Sequence, residues 1–109
     1  MFCKKGTAEK KQLIEGVHLS TLVHGEKTLM GHFNVAKGSA IPPHSHPHEQ
    51  TGFMVSGKLR FKVGDEVMDV EAGDSWCIPG GVEHGVEALE DAVVIEVFSP
   101  VREDYLPGL

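Results

Sequence analysis

Gly38-Ser39-Ala40-Ile41-Pro42-Pro43-His44-Ser45-His46-Pro47-His48-Glu49-Gln50, running on to Gly57, is the stretch that decides the fold. It has a counterpart downstream, Gly73-x5-Pro79-x-Gly81-x2-His84. His44 and His46 are two residues apart, so on an extended strand both imidazoles point to the same face. His84 lies far along the chain, and only a folded sheet brings it to them. Three imidazoles and the Gln50 amide aimed at one point are a set of metal ligands. His48 has the same parity, but Pro47 interrupts the strand before it, and we read His48 as non-ligating.

Outward from these brackets the chain reads as short strands divided by turns. Residues 18–23 and 28–36 are extended, with Gly25-Glu26 between them. Residues 50–55 form a strand that stops at Ser56-Gly57. Leu59, Phe61 and Val63 alternate with Lys58, Arg60 and Lys62, a period of two that puts Arg60 on the outside. Gly64-Asp65 then reverses the chain into 66–70. Residues 75–78, 82–88 and 92–98 complete the set. No apolar run keeps helical spacing, and turn signals recur about every eight to twelve residues, as in an all-β sandwich or barrel. Residues 1–11 are polar and expected to be loose, and the tail 99–109 is expected to pack on the outside or on a partner.

The bulk numbers narrow the class. The chain has 109 residues, 40% hydrophobic and 24% charged, which suits a single domain with one small core. Its formal net charge is -6 and no basic cluster runs along it, so nucleic acid and anionic membranes are poor partners. An acidic substrate would need local cations to hold it. Two cysteines, Cys3 and Cys77, make no disulfide framework; Cys77 reads as a small buried strand residue and Cys3 as a free thiol. The N-terminus lacks the apolar stretch of a signal peptide, and no run reaches membrane-spanning length. A cytoplasmic protein is the expectation.

The two bracketed motifs resemble those of the cupin superfamily, over Gly38 to about Ala88. Fifteen residues, 58–72, separate them, a short hairpin like that of compact bacterial members. Two positions differ from the usual pattern: Gln50 replaces the acidic ligand, with Glu49 beside it, and Ala88 replaces the closing asparagine. The resemblance implies an all-β fold, a single-domain cupin jelly-roll barrel of antiparallel strands spanning 1–109, with the metal inside its open end.

A narrower likeness is to the pectin-degradation cupins, which convert cyclic unsaturated uronates to open keto forms. It is carried by His44-Ser45-His46-Pro47-His48-Glu49-Gln50, Gly73-Asp74-Ser75-Trp76, Glu83-His84-Gly85-Val86 and Val97-Phe98-Ser99-Pro100 with Arg102-Glu103-Asp104. That subgroup holds its metal with His, His, Gln and His, matched here by His44, His46, Gln50 and His84. It also uses an acid, a phenylalanine and an arginine near the C-terminus. Phe98 and Arg102 match directly, and the acid position falls on Glu96 where the subgroup has Asp.

The likeness implies a division of roles at the site. One divalent transition metal ion, with Zn, Ni, Fe, Mn and Cu all open, would act as Lewis acid. Glu96 shares parity with Val94 and Phe98 on the last strand; facing the pocket it would be the general acid or base. Arg102 would clamp a substrate carboxylate and Phe98 would wall the pocket. Trp76, Phe53, Met54 and Phe61 read as core or pocket wall. The function implied is a metal-dependent isomerase acting on a small sugar acid. The rivals are another metal-dependent cupin enzyme (dioxygenase or polyketide cyclase-like) and a non-catalytic ligand-binding cupin. The likeness also implies a homodimer, with N-terminal strands or the tail crossing between subunits.

Overall fold

A computed structural model describes residues 1–107. Ten strands, β1 (Lys10–Ile14), β2 (Val17–His24), β3 (Leu29–Val35), β4 (Ala40–His44), β5 (Glu49–Ser56), β6 (Lys58–Val63), β7 (Glu66–Glu71), β8 (Ser75–Ile78), β9 (His84–Ala88) and β10 (Ala92–Ser99), are followed by one 3₁₀ turn, Glu103–Tyr105. The strands form a six-stranded sheet, β1-β2-β3-β10-β5-β8, and a four-stranded sheet, β4-β9-β6-β7. Every pairing is antiparallel. The two sheets face one another as a jelly roll, with a single apolar cluster between them.

Side-chain parity explains the layers. On β10, Ala92, Val94, Glu96 and Phe98 point inward, while Val93, Ile95 and Val97 lie half-buried outside. On β3, Leu29, Gly31, Phe33 and Val35 point inward against them. Leu59 and Phe61 fill the opposite wall from β6, with Arg60 outside in an ion pair with Asp69 of β7. Gly64, at φ 58°, makes the positive-φ corner that the two-residue β6–β7 loop requires.

The structure adds detail to these expectations and departs from some of them. β1 occupies part of the segment expected to be loose, because Leu13 packs on the core and β1 pairs with β2. β4 forms despite Pro42 and Pro43, which an edge strand tolerates. Cys77 and Phe53 are exposed rather than buried, since the inward parity on β8 and β5 belongs to Trp76 and Ile78, and to Gln50, Gly52 and Met54. The tail packs against its own barrel: Tyr105 sets its ring edge-on to Phe33 and Phe98, and Thr21 Oγ1 donates to its carbonyl. Residues 108 and 109 of that tail lie outside the described residues. Among the described residues no helix is long and apolar enough to cross a membrane.

Candidate metal centre and pocket

His44 ends β4, His46 lies in the loop after it, and His84 begins β9 directly opposite His44. The two-apart spacing therefore does not act through one strand; the loop at residues 45–48 carries His46 to the same point. The ring centroids of His44 and His84 are 4.4 Å apart and those of His46 and His84 4.9 Å. One nitrogen from each of the three rings falls within 4.8 Å of the others, and His48 is not part of that group.

Each of the three rings is oriented by the backbone two residues away. The Nδ1 atoms of His44, His46 and His84 lie 2.9, 3.0 and 2.8 Å from the carbonyl oxygens of Pro42, His48 and Val82. A carbonyl only accepts, so each Nδ1 carries the proton and each Nε2 is left as a lone pair. Carbonyl-oriented imidazoles of this kind are the outer support that metal-ligating histidines ordinarily have. The His84 Nε2 is buried with no hydrogen-bond partner, an arrangement that costs free energy unless a cation takes the lone pair. Burial also pulls the pKa values of His46 and His84 below the usual histidine value, and nearby positive charge adds to it. Both effects favour the neutral, ligating form.

Gln50, on β5 and 4% exposed, joins the cluster. Its Nε2 donates to Glu96 Oε2 at 2.5 Å, which fixes its Oε1 toward His46 Nε2 at 2.8 Å. With the tautomer above, that second contact sets two acceptors face to face. A spacing of 2.8 Å is close to that of adjacent ligands each about 2.0–2.1 Å from a common ion. The donor set thus fits a divalent cation: the neutral ligands leave its charge undiminished, and their chemistry suits the first-row transition metals.

The pocket beside this cluster has a volume of about 390 Å³, within the usual range for small-molecule sites. Gln50, His84, Glu96, Phe98, Arg102 and Tyr105 are among its lining residues. Glu96 is 9% exposed, and burial pushes its carboxyl up to about 7 against the hydrogen bonds from Trp76 and Gln50 and the charge of Arg102. Phe98 is wholly buried and edge-on to His46 at 6.1 Å. The Arg102 guanidinium lies 4.0 Å from the Tyr105 ring centroid and 5.3 Å from that of Phe98, and Asp104 takes its Nε and Nη2.

The structure brings all seven sequence-predicted site residues to one end of the barrel. Two further residues join them that the sequence does not single out. Trp76, which reads as core or wall, donates its indole N–H to Glu96 Oε2 at 3.2 Å; its shared parity with Ile78 is the available signal. Tyr105 stacks on Arg102, and a lone aromatic in a charged tail gives little hint of it.

The sequence profile of the Cupin domain family matches residues 31–98. The pectin degradation protein KdgF of Dickeya dadantii is 29% identical over 98 residues, covering 88% of this chain and 89% of that protein. The solved structure of KdgF from Halomonas sp. superposes with a TM-score of 0.92 at 28% identity, covering 97% of this chain and 98% of that one. An RmlC-like cupin from Shewanella frigidimarina superposes with a TM-score of 0.92 at 27% identity, covering 96% and 95%.

Proposed function

The chain belongs to the cupin domain family, and from that premise we propose that it is a metal-dependent isomerase that opens and ketonises a small unsaturated uronate. The likeness to KdgF over nearly the whole of both chains supports this reading. The observation that carries it is internal to the pocket: one buried carboxyl, Glu96, sits beside three convergent imidazoles with Arg102 close by. His44, His46, His84 and Gln50 would hold the ion, which supplies Lewis-acid polarisation of a substrate oxygen.

The reaction needs no co-reactant. In a cyclic unsaturated uronate the anomeric hydroxyl gives up a proton, the bond from the anomeric carbon to the ring oxygen breaks, the ring oxygen takes a proton, and an aldehyde and an enol result. The enol becomes a ketone when its oxygen loses a proton and the former alkene carbon gains one. Glu96 takes and returns these protons, a two-way task suited to a carboxyl titrating at about 7. Arg102, held against Tyr105 and Asp104, binds the substrate carboxylate. Phe98 shields the site from the core side.

Loss of the enol absorbance of an unsaturated uronate tests the reading. Glu96→Gln and His46→Ala should each abolish it. A metal-loaded wild type that leaves such sugars unchanged rejects the assignment, and tight binding without turnover would make the chain a ligand-binding cupin.

The same reading treats residues 1–109 as one domain, in a cytoplasmic setting where Cys3 and Cys77 remain free thiols, and as a homodimer. In the chain itself β1 pairs with its own β2 and the tail packs on its own barrel. A surface open to a second copy is the outer face of the six-stranded sheet, where exposed Phe53 and Val55 adjoin half-buried Val93, Ile95 and Val97.

A further inference from the structure

We propose that Trp76 is a positioning residue for Glu96: its indole N–H, reaching across Gly52, engages Oε2 and leaves Oε1 as the oxygen that exchanges protons with substrate. The role in turnover rests on the isomerase reading; the pairing itself does not.

The register shows how the contact is built. Glu96 on β10 pairs with Gly52 on β5, and Gly52 pairs with Trp76 on β8. Trp76 therefore starts two strands from Glu96, about 9.6 Å at ordinary sheet spacing. The indole spans that gap over position 52, where a Cβ would overlap its Cε2, Nε1 and Cζ2 atoms. Only glycine leaves this path open. On the other flank Glu96 pairs with Gly31, where a Cβ would press on Leu19 and Phe33. The acid thus lies in a row between two glycines, one giving room to the indole and the other to Leu19 and Phe33. Phe61 holds the indole in place, ring centroids 4.7 Å apart.

The donors are distributed unequally. Trp76 Nε1 at 3.2 Å and Gln50 Nε2 at 2.5 Å both reach Oε2, and Oε1 receives no donor from the described residues. A proton on Oε2 would have to displace one of the two N–H groups. A proton on Oε1 displaces nothing, so Oε1 is the oxygen left free to carry it. A tryptophan serving only as core would have no need to direct its N–H at this oxygen, although a buried indole does usually find some acceptor. The experiment must separate those two cases.

Trp76 is the only tryptophan, so ¹⁵N-labelled metal-loaded protein gives a single indole N–H resonance. Glu96→Gln, which keeps the shape and removes the charge, should move that resonance upfield and speed its exchange with water. Trp76→Phe keeps an aromatic against Phe61 and removes only the donor. It should lower kcat on an unsaturated uronate about 10- to 100-fold with KM nearly unchanged, the range expected for one hydrogen bond to a charged group. An indole resonance indifferent to Glu96→Gln overturns the pairing. An unaltered kcat in Trp76→Phe, or a loss confined to KM, overturns the positioning role. Because the resonance is read without substrate, a wild type inactive on uronates would remove the substrate assignment and leave the pairing to be judged by the spectrum.

Discussion

His46 Nε2 and Gln50 Oε1 lie 2.8 Å apart, and in the Nδ1–H tautomer of His46 both are acceptors. The His48 carbonyl holds the proton of His46 on Nδ1, and the Glu96 carboxylate holds the amide of Gln50 with its nitrogen turned away. Two acceptors at that distance repel in a buried setting, and a cation between them converts the repulsion to ligation. Chelator-stripped protein should therefore gain thermal stability on addition of a divalent transition metal, in a concentration-dependent way. His84→Ala should cut metal affinity by about 10-fold or more by titration calorimetry. A melting temperature that ignores all of Zn, Ni, Fe, Mn and Cu would contradict the ligand set.

Glu96 makes stability depend on pH. Its carboxyl ordinarily titrates near 4.5 and here is pushed up to about 7 by burial, so the folded chain binds this proton more tightly than the unfolded one. Below 4.5 both states are protonated and the residue exacts no penalty. As pH rises from 4.5 to 7 the unfolded chain ionises first and stability falls; above 7 the full penalty, about 3 kcal/mol, is present. His46 and His84, whose pKa values burial lowers, act in the opposite sense over the same window, so the loss should be read as the difference between wild type and Glu96→Gln in denaturant melts of chelated protein at about pH 5 and pH 8. A Glu96→Gln melt as pH-dependent as the wild type over this window would assign the slope to other groups.

The histidine brackets and the period of two were enough to read the barrel, because inward and outward residues in strands such as β6 and β10 separate cleanly. Sequence was weaker where geometry departs from an ideal strand. His46 reaches the cluster from a loop, and only the folded chain shows that Pro42, His48 and Val82 supply the carbonyls that orient the rings. Trp76 was illegible as a partner of Glu96 because it lies two strand pairings from the acid and the contact depends on the absent side chain of Gly52 between them. Tyr105 depends on how the tail folds back after β10, which no periodicity encodes.

Arg102 is fixed from two sides, by the Asp104 carboxylate on its Nε and Nη2 and by the Tyr105 ring 4.0 Å from its centre. A lysine keeps the charge but loses the fork and the stacking. Arg102→Lys should raise KM for a uronate about 10-fold or more with a smaller effect on kcat, and Tyr105→Leu should reproduce part of that rise. Steady-state kinetics decide it; unchanged KM values in both variants would exclude Arg102 as the carboxylate clamp.

The outer face of β3, β10 and β5 carries an apolar patch of Met30, Val93, Ile95, Val97, Phe53 and Val55, with the charged side chain of Glu49 at one end of β5. Together with β8 these strands make a face of about 400 Å² in projection. Two copies would then bury on the order of 1,000 Å² once side-chain relief is counted, near the lower bound for a specific interface. Sedimentation velocity should find a dimer, and Phe53→Asp should shift it to monomer without unfolding. A wild type that sediments as a monomer at micromolar concentration would reject the second copy as the occupant.

Glu96 falls where the resemblance read from the sequence implies an Asp, so Glu96→Asp asks whether this site is built for the longer acid. The shorter side chain withdraws the carboxylate by more than about 1 Å, a displacement that can cost two orders of magnitude in rate. It would also withdraw Oε2 from the indole of Trp76, which is already at 3.2 Å. We expect Glu96→Asp to retain its metal, to lower kcat about 100-fold and to shift the Trp76 indole resonance. A Glu96→Asp enzyme at least as fast as the wild type would show that the extra methylene has no part in placing the proton.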